Sequence, residues 1–268
     1  NLARYATTIE VTPNRTVRAK LNRIGLELVG DISLPEHWAI FSVPFRVAAD
    51  LGIGTLIYGE CPQEAYGGPI GTEAARTMTR RWVSEFGGFL GCRPMDMVGM
   101  EGITEADMRD YMLPEDNKLS RVSAYWLGQF EPWDSHRNSE KARVAGMVSD
   151  LPCPANWWVS ENLECALTGL HDHAMYRKYG YGRGCAQISV DIRPLGWSRE
   201  WALGWLRLHD GRFPDVYMGV EFPDICKHLG MTEGELIAAL DKHTNWDLFG
   251  HKEGYQPILK EWACSRVA

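Results

Sequence analysis

Two carboxylates, Glu60 and Glu64, stand in the stretch Gly54-Thr-Leu-Ile-Tyr-Gly-Glu-Cys-Pro-Gln-Glu-Ala-Tyr-Gly-Gly68. It begins as a run of β-formers, Ile53 to Tyr58, and closes on Tyr66-Gly67-Gly68 ahead of a helical pattern. A strand that opens into a Gly- and Glu-bearing loop and then a helix is how open α/β sheets build ligand sites at their carboxyl edge. Paired acids there can hold Mg²⁺ against a nucleotide, or orient a substrate hydroxyl or amine. The plain alternative is a strand–turn–helix connection with solvated acids. Cys61 sits in the same loop, but no histidine follows nearby to act as its base.

Farther along, His171-Asp172-His173 offers metal-ligand chemistry, although histidines two residues apart on a helix face different directions. Hydrogen bonding in a polar pocket is the competing use. Gly180-Tyr-Gly-Arg-Gly184 offers backbone for a phosphate cradle, or simply a loop. Trp133-Asp134 can stack on a sugar ring and take its hydroxyls, or be a core tryptophan beside a helix cap. Trp201 and Trp205 share helical spacing and read as core.

The elements that must position these residues are legible in outline. Residues 6–11 read as a strand ended by Thr12-Pro13-Asn14. Val17, Leu21, Ile24, Leu28 and Val29 form a helical stripe that Gly30-Asp31 ends, and residues 38–50 continue as apolar helix with Pro44 at a first turn or kink. The strand and loop follow, then a helix from Thr72 to Gly87-Gly88. Residues 1–88 therefore read as β-α-α-β-loop-α, and alternating strands and helices imply a parallel sheet. Two strands are too few to make such a sheet stable alone, so further chain is expected upstream of Asn1. From residue 89 the pattern turns mainly helical: Thr104 to Met112, a stretch without clean period from 113 to 165, Ser198 to His209, and a capping box at Thr232-Glu-Gly-Glu235.

The 268 residues allow one large domain or a domain with a lobe. A net charge of −7 disfavours nucleic acid as the main partner, because phosphate binding needs a basic face. Seven scattered cysteines with no CxxC pair read as reduced thiols of a cytoplasmic protein, without a sequence-local zinc site. No apolar run approaches the roughly 20 residues that span a bilayer, so no membrane partner is expected.

Asn1-Leu2, Thr12-Pro13-Asn14, Gly30-Asp31 and the Tyr58-Gly59-Glu60…Glu64-Ala-Tyr66-Gly67-Gly68 loop resemble, in order, the N-acetyl sugar amidotransferase family. So do Trp133-Asp134 with Asn138, the run His173 to Arg183, Asp191-Ile-Arg193, Ser198-Arg199-Glu200 and His209-Asp210-Gly211. The family belongs to the N-type ATP pyrophosphatases, relatives of asparagine synthetase. The resemblance implies an α/β fold: the C-terminal part of a doubly wound parallel-sheet, adenine nucleotide alpha hydrolase-like domain over residues 1–88, then a mainly helical substrate-binding lobe over 89–268. It implies ATP and Mg²⁺. The acetamido oxygen would attack the α-phosphate, pyrophosphate would leave, and ammonia from a separate glutaminase subunit would displace AMP, in synthesis of lipopolysaccharide or flagellar glycans.

Carried onto this chain, Glu60 would hold metal or substrate, and Glu64, Lys178 and Arg183 would complete the catalytic set. Asn1, Gly59, Gly67, Gly68, Arg193 and Arg199 would hold the nucleotide, Arg because it grips phosphate bidentately. Tyr66, Trp133, Asp134 and His173 would face the sugar. The family's Ser-Gly-Gly-x-Asp-Ser pyrophosphate loop and its Cys-rich segment are absent from this sequence; in the family both precede the position of Asn1, so the expectation is a fragment or a split enzyme. Two alternatives stay open: a related enzyme acting on a nucleobase, in tRNA or viral DNA, and a non-catalytic partner subunit.

Overall fold

A computed structural model describes residues 2–59, 78–85, 88–89, 91–131 and 134–261. The chain divides into two compact units. The N-unit comprises Leu2–Asn22 and Leu34–Trp133; the C-unit comprises Arg23–Ser33 and Asp134–Ala268, together with Asn1. The partition thus falls at 133/134 and returns residues 23–33 to the later unit, rather than cutting once after residue 88.

Residues 7–14 are irregular and mostly exposed, where a strand was expected at 6–11. Their Thr and Val residues favour a pleated surface only where one face can be covered, and Ile9 stays 55% exposed. Asn14 then starts α1, Arg15–Val29, its Oδ1 accepting from the N–H of Thr16 at 3.0 Å. Gly30, at φ +64°, ends it in the left-handed conformation that suits glycine.

In the N-unit, α2 spans Leu34–Leu51 and buries Leu34, Trp38, Phe41, Phe45 and Ala48 at helical spacing. Pro44 lies inside the helix, not at its first turn. Strand β1, Thr55–Tyr58, follows; later come the short helices α3, Arg80–Glu85, α4, Glu105–Met108, and α5, Asp116–Leu119, and then β2, Ser123–Trp126. The two strands pair in parallel, Thr55 beside Ser123 through Tyr58 beside Trp126. Trp38 meets Phe89 and Tyr111 edge-on at 6.5 and 6.2 Å, while Phe41 packs with Tyr58 and Trp126 at 5.9 and 6.3 Å. Burying each such ring contributes roughly 1.5–3 kcal/mol. A single parallel pair is the extent of parallel sheet among the described residues; the doubly wound sheet expected from the sequence is not seen in them.

The C-unit is mainly helical. It contains α6, Ser135–Val144, α7, Thr168–Tyr179, α8, Arg183–Leu195, and α9, Arg199–His209. A hairpin of β3, Val216–Tyr217, and β4, Val220–Glu221, leads into α10, Phe222–Leu229. Then come α11, Glu233–Lys242, capped by the Thr232 box as expected, and the hairpin of β5, Phe249–Glu253, with β6, Gln256–Leu259. The core joins Leu26 and Ile32 to Leu167, Leu170, Phe222, Leu229, Leu236 and Leu240. The aperiodic stretch 113–165 thus holds β2 and α6, whose polar sequence Ser-His-Arg-Asn-Ser-Glu-Lys-Ala-Arg-Val shows little apolar stripe. No described helix is long and apolar enough to cross a membrane.

Candidate functional site

The C-unit contains a small open cleft, roughly 250 Å³ including the part that merges with solvent. Its polar walls are Cys153 and Asn156 from the loop before α7, Asp172 and His173 of α7, Arg183 at the start of α8, and Arg212 after α9. The loop turns tightly, the Asn156 N–H donating to the Cys153 carbonyl at 3.1 Å. Gly169 of α7 admits the ring of Tyr217, which is fully buried and donates its hydroxyl hydrogen to the Asn162 carbonyl at 3.2 Å.

Successive α7 side chains are turned about 100° apart, and each of the three in His171-Asp172-His173 finds a different partner. His171 Nδ1 lies 2.9 Å from Asp31 Oδ1. Burial disfavours its charged form, yet the Asp31 carboxylate outweighs that and raises its pKa. Asp172 takes Arg183 through Nε at 3.2 and 3.3 Å and through Nη2 at 2.9 Å. His173 bonds to the Gly211 carbonyl through Nδ1 at 3.0 Å and accepts from Arg177 Nε at 2.9 Å through Nε2. These bonds fix a neutral tautomer with the proton on Nδ1. Burial first, and the Arg177 charge second, lower the His173 pKa to about 3. The triplet therefore does not converge on one ion.

Arg177 is 1% exposed and fully engaged: Nη1 reaches Asp241 at 2.6 Å and Thr244 at 3.1 Å, and Nη2 reaches the Tyr255 carbonyl at 2.6 Å. A buried guanidinium needs this much compensation. Asp241 also pairs with Lys252.

The glycine run from 180 to 184 is neither an open loop nor an open phosphate cradle. Gly180, at φ +80°, ends α7, and α8 begins three residues later. The first N–H groups of a helix attract anions, and here a carboxylate of the chain already occupies them. Asp210 accepts from Gly182 N–H at 2.8 Å and Cys185 N–H at 3.1 Å. Burial raises the Asp210 pKa to about 6, against the lowering effect of these amides. Gly184 is glycine for close packing: a Cβ there would lie 2.6 Å from Trp205 and 2.9 Å from the Ala155 carbonyl oxygen.

Of the residues singled out in the sequence, His173 and Arg183 come together in the cleft. Lys178 does not join them; its ammonium donates to the Val29 carbonyl at 2.7 Å at the end of α1, and burial lowers its pKa. Arg199 is the exposed first residue of α9, and Gly59 is an exposed bend after β1. Asp134 caps α6, accepting from Arg137 N–H at 2.9 Å. Arg193 falls on α8, with its side chain outside the description. Asn1, Glu60, Glu64, Tyr66, Gly67, Gly68 and Trp133, like Cys61, lie outside the described residues.

Trp205 packs against Trp157 at 5.3 Å, while Trp201, expected in the core, touches Trp157 at 5.4 Å and stays 45% exposed. Cys153 and Asn156, which sequence reading passed over, line the cleft. Cys153 donates its S–H to Asn156 Oδ1 at 3.0 Å, and burial raises its pKa, which favours the thiol over the reactive thiolate. The available signal was Cys-Pro-Ala-Asn, a turn-forming run in a stretch without period.

No curated protein matches the chain. Residues 147–262, which hold every residue of the cleft, match the family model described as LPS biosynthesis protein WbpG-like, C-terminal domain.

Proposed function

We propose that the chain acts in lipopolysaccharide biosynthesis as part of an ATP-dependent amidotransferase, and that the C-unit cleft holds its N-acetylated sugar substrate. The observation that carries this is the coincidence of the cleft with the WbpG-like segment. The cleft's groups suit holding and orienting: an ion pair with its geometry fixed, a neutral imidazole that cannot change charge near pH 7, and an asparagine amide. They do not suit an ATP phosphate site. Lys178 is committed to a carbonyl, Arg183 to Asp172, and the α8 N–H groups to Asp210. The part proposed for the C-unit is therefore sugar binding.

The test is turnover. The full chain, with ATP, Mg²⁺, an ammonium salt and a panel of UDP-linked acetamido sugars, is expected to release AMP and pyrophosphate with at least one of them. Absence of both products across the panel, with any upstream segment of the natural protein restored, overturns the enzymatic reading. The occupied α8 N–H groups favour one second reading, a non-catalytic partner subunit. That reading predicts no ATP or AMP binding by calorimetry.

A further inference from the structure

Helix α9 turns a partly apolar face to solvent. Trp201 and Leu208 are 45% and 64% exposed, and Glu200, Gly204 and Arg207 are exposed with them. Ala202, 3% exposed, marks the inward side of the helix. The Trp201 ring is already held by its neighbours, Trp157 at 5.4 Å and Trp197 at 4.8 Å. An indole fixed in advance and left half in water is the kind of side chain that anchors an interface.

The five positions are ordered. Seven residues make close to two helical turns, so Trp201 lies nearly in line with Leu208, and Glu200 with Arg207, each pair about 10 Å apart along the axis. The apolar pair forms one flank of the exposed face and the charged pair the other. Gly204 falls between the flanks in angle and midway in height, and a Cβ there would meet nothing within 4 Å. Neither Glu200 nor Arg207 makes an ion pair or side-chain hydrogen bond among the described residues.

Such a face is complementary to itself. Lay a second α9 against the first, antiparallel and related by a two-fold axis at the level of Gly204, and each flank meets the same flank running the opposite way. Trp201 then faces Leu208 of the second copy, Glu200 faces its Arg207, and both contacts occur twice. Gly204, without a side chain, lets the two backbones approach at the axis. The signs also suit the ends of the helix itself, acid first and base last, so the charges alone would name no partner; the apolar flank in the same register does. An anionic surface would gain Arg207 and be opposed by Glu200. A partner carrying the same face in reverse satisfies both flanks.

We propose that the chain self-associates through α9, as a two-fold symmetric antiparallel pair centred on Gly204. Trp201 and Leu208 supply the apolar contact, and Glu200 with Arg207 sets the direction. This surface is independent of the reaction proposed above.

Sedimentation velocity of the full chain, from about 1 µM to about 100 µM, is expected to show a monomer–dimer equilibrium. Glu200→Arg alone and Arg207→Glu alone each set like charges face to face, twice per dimer, and should weaken association about a hundredfold or more. The double exchange, Glu200→Arg with Arg207→Glu, keeps opposite charges across the axis and should restore it; so should mixing the two single variants. A wild type that stays monomeric throughout leaves the face to some other partner and overturns the proposal. So does a dimer that both single variants keep, and so does loss in the singles with no recovery in the double exchange or the mixture. If a single variant does not fold, hydrogen exchange of the wild type decides. The amides of Arg199–His209 should gain protection as concentration rises through the dimer range, and protection there that ignores concentration overturns the proposal.

Discussion

His173 is a side chain whose protonation separates folded from unfolded chain. In the folded chain burial and Arg177 hold it neutral down to about pH 3, whereas an unfolded histidine titrates near its ordinary value of about 6.5. Between those values the unfolded chain binds more protons, so the stability tied to His173 is complete above about pH 6.5 and is lost as pH falls towards 3. His173→Gln is therefore expected to lose less of its urea midpoint between pH 7 and pH 4 than the wild type does; an unchanged acid limb would show that the imidazole is not held neutral. None of this was readable from His171-Asp172-His173 as a sequence. Residue types named the chemistry, but the partners Asp31, Arg183 and Gly211 come from three other parts of the chain. Lys178 makes the same point in reverse, because its charge drew attention while the buried carbonyl of Val29 decided its use.

At the scale of elements, legibility followed periodicity. The α1 and α2 stripes, the Gly30 stop, β1 and the Thr232 capping box all stood in the sequence, because each is set by residues within a turn or two of one another. Helix α6, almost wholly polar, and the short β3–β4 and β5–β6 hairpins did not announce themselves, since none carries an apolar stripe long enough to set a period. Two glycines bring out the difference between spacing and surroundings. At Gly184 in α8 a methyl group would press on Trp205 and the Ala155 carbonyl, so Gly184→Ala should destabilise by about 1–3 kcal/mol. At Gly204 in α9 the same methyl group would meet nothing within 4 Å, so Gly204→Ala should gain up to about 1 kcal/mol of helix propensity. Urea midpoints at constant slope measure both, and a shared sign would contradict the packing around α8.

For the molecule as a whole, the C-unit is discontinuous in sequence. Leu26 and Ile32, both fully buried, complete a core whose other members begin at Leu167. A fragment starting at Asp134 lacks both side chains and should bind a hydrophobic dye and melt below the full chain, at a cost of about 2–5 kcal/mol for each large side chain withdrawn. A fragment with a native-like melting curve would show that residues 23–33 are dispensable to this core.

The same arrangement bears on how the chain is born. Leu26 and Ile32 leave the ribosome well before the helices that shelter them, whose core residues begin only at Leu167. The C-unit core can therefore close only once the chain has been made as far as Leu240. Until then two oily side chains are open to whatever else is nascent in the cell.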